Sequence, residues 1–133
     1  MTTPLRQPGA WLGLLCLIVP LAAQDRTPAM SDPGWVAPAS ASARPNPLAA
    51  VPAVIAGGAK LFQRRCEPCH GPAGTGSAKA PTLTTSAVLS QSDGALFWKV
   101  SGGNVRRGMP SFSVLPDAQR WQLVLYLRSL PTR

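Results

Sequence analysis

Apolar side chains recur at helical spacing in three stretches of the chain. In the first, Val54, Gly58, Leu61 and Phe62 form one stripe. Pro52 suits the first turn, and Arg64 and Arg65 stand where cations complement the negative end of the helix dipole. This predicts a helix over 53–66. The second, over 92–101, opens at Ser92 and Asp93, buries Leu96, Phe97 and Val100, and stops at Gly102-Gly103. The third, over 116–130, opens at Pro116 and Asp117, buries Trp121, Val124, Leu125 and Leu127, and ends before Pro131. Two loops join them. One, 71–91, is rich in Gly, Ala, Ser and Thr; the other runs from Gly103 to Leu115.

Upstream the pattern changes. Arg6 precedes 13 uncharged residues from Trp11 to Ala23, too few to span a bilayer comfortably, and Ala22 and Ala23 precede Gln24 and Asp25. Residues 1–24 therefore read as an export signal, with an uncleaved anchor as the alternative. Residues 25–52 carry Pro28, Pro33, Pro38, Pro45, Pro47 and Pro52 among alanines and serines. Such a composition buries too little apolar surface to offset its ordering entropy. It predicts an extended, partly polyproline-like tether, with Trp35 exposed to solvent and only Asn46-Pro47-Leu48 close to the domain. Residues 53–133 are then one compact domain, small for an independent core.

The chain has three cysteines, and Cys16 lies in the first apolar stretch. The other two stand in Cys66-Glu67-Pro68-Cys69-His70, the spacing of a c-type haem attachment site. Two thiols one helical turn apart can each form a thioether to a haem vinyl group, which leaves the next side chain, His70, beneath the iron as proximal ligand. A zinc site needs a fourth ligand, a thioredoxin-like pair needs a βαβ setting, and a disulfide across two residues is strained and leaves His70 without a role. A covalently held haem also gives a small domain an apolar plate to wrap. Gly71, Gly74 and Gly76 could turn the chain tightly beside it, although ordinary loop glycines are as good a reading. The iron's sixth position suits a thioether. Met109, between Gly108 and Pro110, is the only methionine of the compact domain, while Met30 lies far from the motif.

Taken together, these segments resemble the mono-haem class I c-type cytochromes from near Val54 to Leu130. Cys66-Glu67-Pro68-Cys69-His70-Gly71 resembles the haem-binding signature, Gly108-Met109-Pro110 the distal-methionine segment, and Pro81-Thr82-Leu83 the proline segment between them. The resemblance implies an all-α, small cytochrome c fold of three to four helices wrapped around one covalently attached haem c, with the haem edge reaching the surface. It implies that the Pro81 carbonyl accepts a hydrogen bond from His70. It also implies that Gly58 and Phe62 cross Leu123 and Tyr126. The Pro- and Ala-rich extension departs from the basic pattern, and the loop from His70 to Pro81 is short.

The function expected on this basis is electron transfer by an exported protein, with iron cycling between Fe(III) and Fe(II) and no catalysis of its own. The resemblance places it in a bacterial periplasm, soluble or N-terminally anchored. Trp98 is read either as lining the pocket or bonding a haem propionate, or as a plain core residue. Arg106 and Arg107 are read as pairing with propionates, as docking residues, or as merely solvated. The whole chain has 13 basic and 5 acidic residues, a formal net charge of +8. Within 54–133 ten basic residues face three acidic ones, a difference of +7. Export and haem argue against nucleic acid; an acidic patch on a dehydrogenase, an oxidase or another cytochrome is the better match. A membrane enters only if the signal stays uncleaved. Two other readings stay open: a tethered cytochrome subunit of a periplasmic dehydrogenase or oxidase complex, and a haem-based small-ligand sensor with a displaceable Met109.

Overall fold

The computed structural model describes residue 32 and residues 34–133. The expected export signal over 1–24 and Met30 lie outside the described residues. Among the described residues six helices follow one another: α1 (Ala39–Ser42), α2 (Pro52–Arg65), α3 (Glu67–His70), α4 (Ser86–Leu89), α5 (Asp93–Gly102) and α6 (Asp117–Ser129). Single 3-10 turns lie at Pro72–Gly74 and Val105–Arg107. Among the described residues the only β pairing is an isolated bridge between Asn104 and Met109, and no helix is long and apolar enough to cross a membrane.

The frame is the crossing of α2 and α6. Pro52 opens α2, and Val51 ahead of it is extended. Asp117 and Arg128 sit at the two ends of α6 with the charge order its dipole favours. The helices meet at Gly58, where a Cβ would lie 2.1 Å from the Gln122 carbonyl oxygen. No other residue fits so close an approach. One turn on, the Phe62 and Tyr126 rings sit 5.1 Å apart at 50°. Phe62 and Leu123 are almost wholly buried there, with Leu61, Leu127 and Leu130 around them. This is the crossing implied for Gly58, Phe62, Leu123 and Tyr126.

The helix α5 begins at a true cap: the Ser92 hydroxyl accepts from the Ala95 amide at 3.2 Å. It contributes Leu96 and Phe97 to a second core with Trp121 and Val124. Phe97 and Trp121 stack with ring centres 4.0 Å apart. Arg128 ties this half together. It donates from Nε to Asp93 at 2.8 Å and from its other nitrogens to the carbonyls of Leu89 and Gln91, so α6 holds the ends of α4 and α5.

The segment before α2 corrects the expectation of a tether. Residues 34–48 lie on the domain instead of leaving it. The Trp35 indole donates to the Gly103 carbonyl at 2.8 Å, the Asn46 amide to the Trp121 carbonyl at 3.2 Å, and the Ser92 hydroxyl to the Ser42 carbonyl at 2.7 Å. Ala37 is buried. Trp35 is half-buried and not a solvent-exposed linker residue. The Arg44 guanidinium covers both stacked rings, 4.9 Å from Phe97 and 5.6 Å from Trp121. The physical reason lies in the receiving surface. Phe97 and Trp121 present an aromatic face that needs a cover, and Gly94 lets α1 close on α5, since a Cβ there would meet the Ala41 carbonyl oxygen at 2.0 Å. Composition judges a segment alone, without the surface that binds it.

Candidate functional site

The chain leaves α2 through Cys66, whose amide still bonds to the Phe62 carbonyl at 2.8 Å. Its own carbonyl accepts from Cys69 at 3.1 Å and from His70 at 2.8 Å. Cys66, Cys69 and His70 therefore share one helical turn. Both cysteines are free thiols; Cys66 is half-buried and Cys69 exposed. Burial, aided by the neighbouring Cys69, pushes the Cys66 thiol up to about 11.

After His70 the loop folds back on itself. The Gly76 amide bonds to the His70 carbonyl at 2.6 Å, the Leu83 amide to the Gly74 carbonyl at 2.7 Å, and the Ser77 hydroxyl to the Cys69 carbonyl. The Thr82 hydroxyl bonds to the Gly74 carbonyl at 3.1 Å and meets that of buried Thr84 at 3.0 Å. This return brings the Pro81 carbonyl oxygen to 2.9 Å from His70 Nδ1. A carbonyl only accepts, so Nδ1 carries the proton and the Nε2 lone pair of the neutral ring is free for a metal.

Met109 is half-buried on the loop that follows α5. Asn104 and Met109 exchange backbone bonds, 2.9 Å and 3.0 Å, which close the loop around the turn at Val105–Arg107. The returning strand is anchored where the Ser111 hydroxyl donates to the Ser101 carbonyl at 2.7 Å. Arg106 and Arg107 are exposed on this loop and make no ion pair among the described residues. Trp98 is half-buried and lines a groove of about 290 Å³ with Ala41, Arg44, Phe97 and Arg120. That is the α1 side of α5; Val100, two residues on, packs against the α2–α6 core instead.

These residues fit a haem. Two unpaired thiols stand on the turn that presents His70, whose ring is fixed through one nitrogen and open through the other. Leu83, Val100, Leu115 and Tyr126 pack on the core and remain only partly covered, as the wall of an apolar cofactor pocket does. By themselves the donors make no metal site: among the described residues no three His, Cys, Asp or Glu side chains could hold an ion together. Sequence reasoning named the cysteines, His70, Met109 and Pro81. It missed the Thr82–Gly74–Thr84 bonds that fix the loop and the contacts of Asp32 and Trp35 on the Met109 loop; a tryptophan in a proline-rich stretch was the one available signal.

No curated protein matches the chain. Residues 53–127 match the family described as Cytochrome C oxidase, cbb3-type, subunit III, so the chain belongs to that family, and its compact part is a c-type cytochrome domain, an all-α unit of haem-based electron transfer.

Proposed function

We propose that the protein is an exported one-electron carrier with a single haem c, attached through thioethers at Cys66 and Cys69, with His70 and Met109 as its two axial ligands. When bound, haem c supplies an Fe(III)/Fe(II) couple. The chain's part is to hold, orient and shield. Cys66 and Cys69 fix the cofactor's position relative to α3. Pro81 holds the Nδ1 proton of His70 and thereby the plane of the ring, so Nε2 is aimed before any ligation. Met109 adds a soft ligand that favours the reduced state. With His70 and Met109 both holding the metal, no substrate would reach it, which would make the protein a carrier rather than a catalyst. The observation that carries this reading is the contact of His70 Nδ1 with the Pro81 carbonyl beside two free thiols of the same turn.

The surplus of basic side chains, Arg106 and Arg107 among them, supports brief encounters with an acidic redox partner. A second reading, residence in an oxidase complex, is favoured by the family description, which names an oxidase subunit. Co-purification at fixed stoichiometry separates it from a free shuttle.

The test is the optical spectrum of the holoprotein and of Met109→Ala. Wild type should show, when oxidised, the weak near-infrared band of sulfur on Fe(III), and the variant should lose it. A wild type without the band has another or no sixth ligand, and the sensing reading takes precedence.

A further inference from the structure

The contacts of the N-terminal segment converge on the base of the Met109 loop. The Trp35 indole N–H donates to the Gly103 carbonyl at 2.8 Å. The Asn104 side-chain amide donates to an Asp32 carboxylate oxygen at 3.1 Å, and the other oxygen accepts the Gly34 amide at 3.1 Å. Gly103 and Asn104 are the two residues from which the loop departs, and Asn104 is the one that closes it by exchanging backbone bonds with Met109. The Trp35 ring is held in turn by the Lys99 ammonium, 4.7 Å from its centre, one turn before Gly103 on α5. The far side of the loop is tied to α5 through Ser111 and Phe112, at 2.7 Å and 3.3 Å to the carbonyls of Ser101 and Val100. The loop is therefore gripped on two sides, one of them by a segment outside the matched family region, which begins at residue 53.

We propose that residue 32 and residues 34–48 form a clamp, with Trp35 and Asp32 as positioning residues that hold the Met109 loop closed and so keep the sixth axial position occupied. This rests on the assignment of Met109 as axial ligand. The physics is an opening equilibrium. Swinging Met109 away requires Gly103 and Asn104 to move, and movement of either breaks a bond to the clamp. Each such bond is worth roughly 1 kcal/mol net, so losing one raises the open population about fivefold. A groove of about 440 Å³ lies between Val36, Ala37 and Ser42 of the segment and Ala95 and Lys99 of α5.

The experiment uses the full-length holoprotein with Trp35→Ala, Trp35→Phe and Asp32→Ala. Cyanide binding to Fe(III) reads access to the sixth position, and hydrogen exchange at the Asn104 and Met109 amides reads loop opening independently of iron. Trp35→Ala, which loses both the donor and the ring, should speed cyanide entry about tenfold. Trp35→Phe keeps a ring for Lys99 and loses one bond to the loop, as Asp32→Ala does, so each should give about a fivefold rise. Exchange at the two amides should rise in the same order. Asp32 is at the outer end of the clamp, so Asp32→Ala remains informative if Trp35→Ala does not fold. Unchanged exchange in Trp35→Phe and Asp32→Ala overturns the clamp. Faster exchange with unchanged cyanide entry, in a wild type that shows the sulfur band, overturns its role in ligation. If the wild type lacks that band, the axial assignment of Met109 has failed, and exchange alone decides whether the clamp exists.

Discussion

One carbonyl decides which nitrogen of His70 is free. Pro81 has no amide hydrogen to give, and its oxygen at 2.9 Å leaves the imidazole a single way to place its proton. That precision depends on small neighbours: Thr82 and Thr84 hold the backbone that presents the carbonyl. Cys66 shows the opposite treatment. Burial keeps its thiol protonated, up to about 11, and the thiolate is the reactive form. In the apoprotein, Cys66 is therefore expected to alkylate more slowly with iodoacetamide at pH 8 than exposed Cys69. The gap should close in denaturant, and mass mapping of the two labelled sites checks it. Equal rates in the folded apoprotein would mean that Cys66 is not shielded by the end of α2.

The two longest helices meet where one carries no side chain at all. Gly58→Ala would place a methyl 2.1 Å from the Gln122 carbonyl and force the crossing apart. Overpacking of this kind costs about 1–3 kcal/mol, to be read as a lower midpoint in thermal or denaturant unfolding of the holoprotein. Arg128 acts on a different boundary. Arg128→Met removes the donors for Asp93 and for the carbonyls of Leu89 and Gln91. Amide exchange should rise over 86–91 while α2 stays protected. These elements differ in how legible they were. The long helices lie at 52–65, 93–102 and 117–129, within a residue of the stretches their apolar stripes predicted, because several turns of a stripe average out ambiguous residues. The four-residue helices α1, α3 and α4 have no room for a period. Arg128 holds the end of α4 and Ser92 the end of α1, contacts that no local window contains. The shared turn of Cys66, Cys69 and His70 was legible because the three stand within five consecutive positions. Pro81 lies 11 residues on and was legible only through resemblance.

At the scale of the molecule, charge and cover matter most. Residues 54–133 carry a difference of +7 between basic and acidic residues. Such a surface steers encounters with an acidic partner and loses that advantage in salt. Electron transfer to an acidic test partner should therefore slow steeply as ionic strength rises from 10 to 200 mM (on the order of tenfold). Stopped-flow measurement checks it, and a flat salt profile would mean that the basic side chains do not face the partner.

The clamp also has a history. Trp35 and Asn46 reach partners 68 and 75 positions later in the chain. A chain made from its N-terminus produces these residues well before their landing surface, α5 and α6. Closing such long intervals is slow. Until synthesis passes Trp121 the segment has nowhere complete to land. The grip on Gly103 and Asn104 is therefore expected to close only after the helices it rests on have formed.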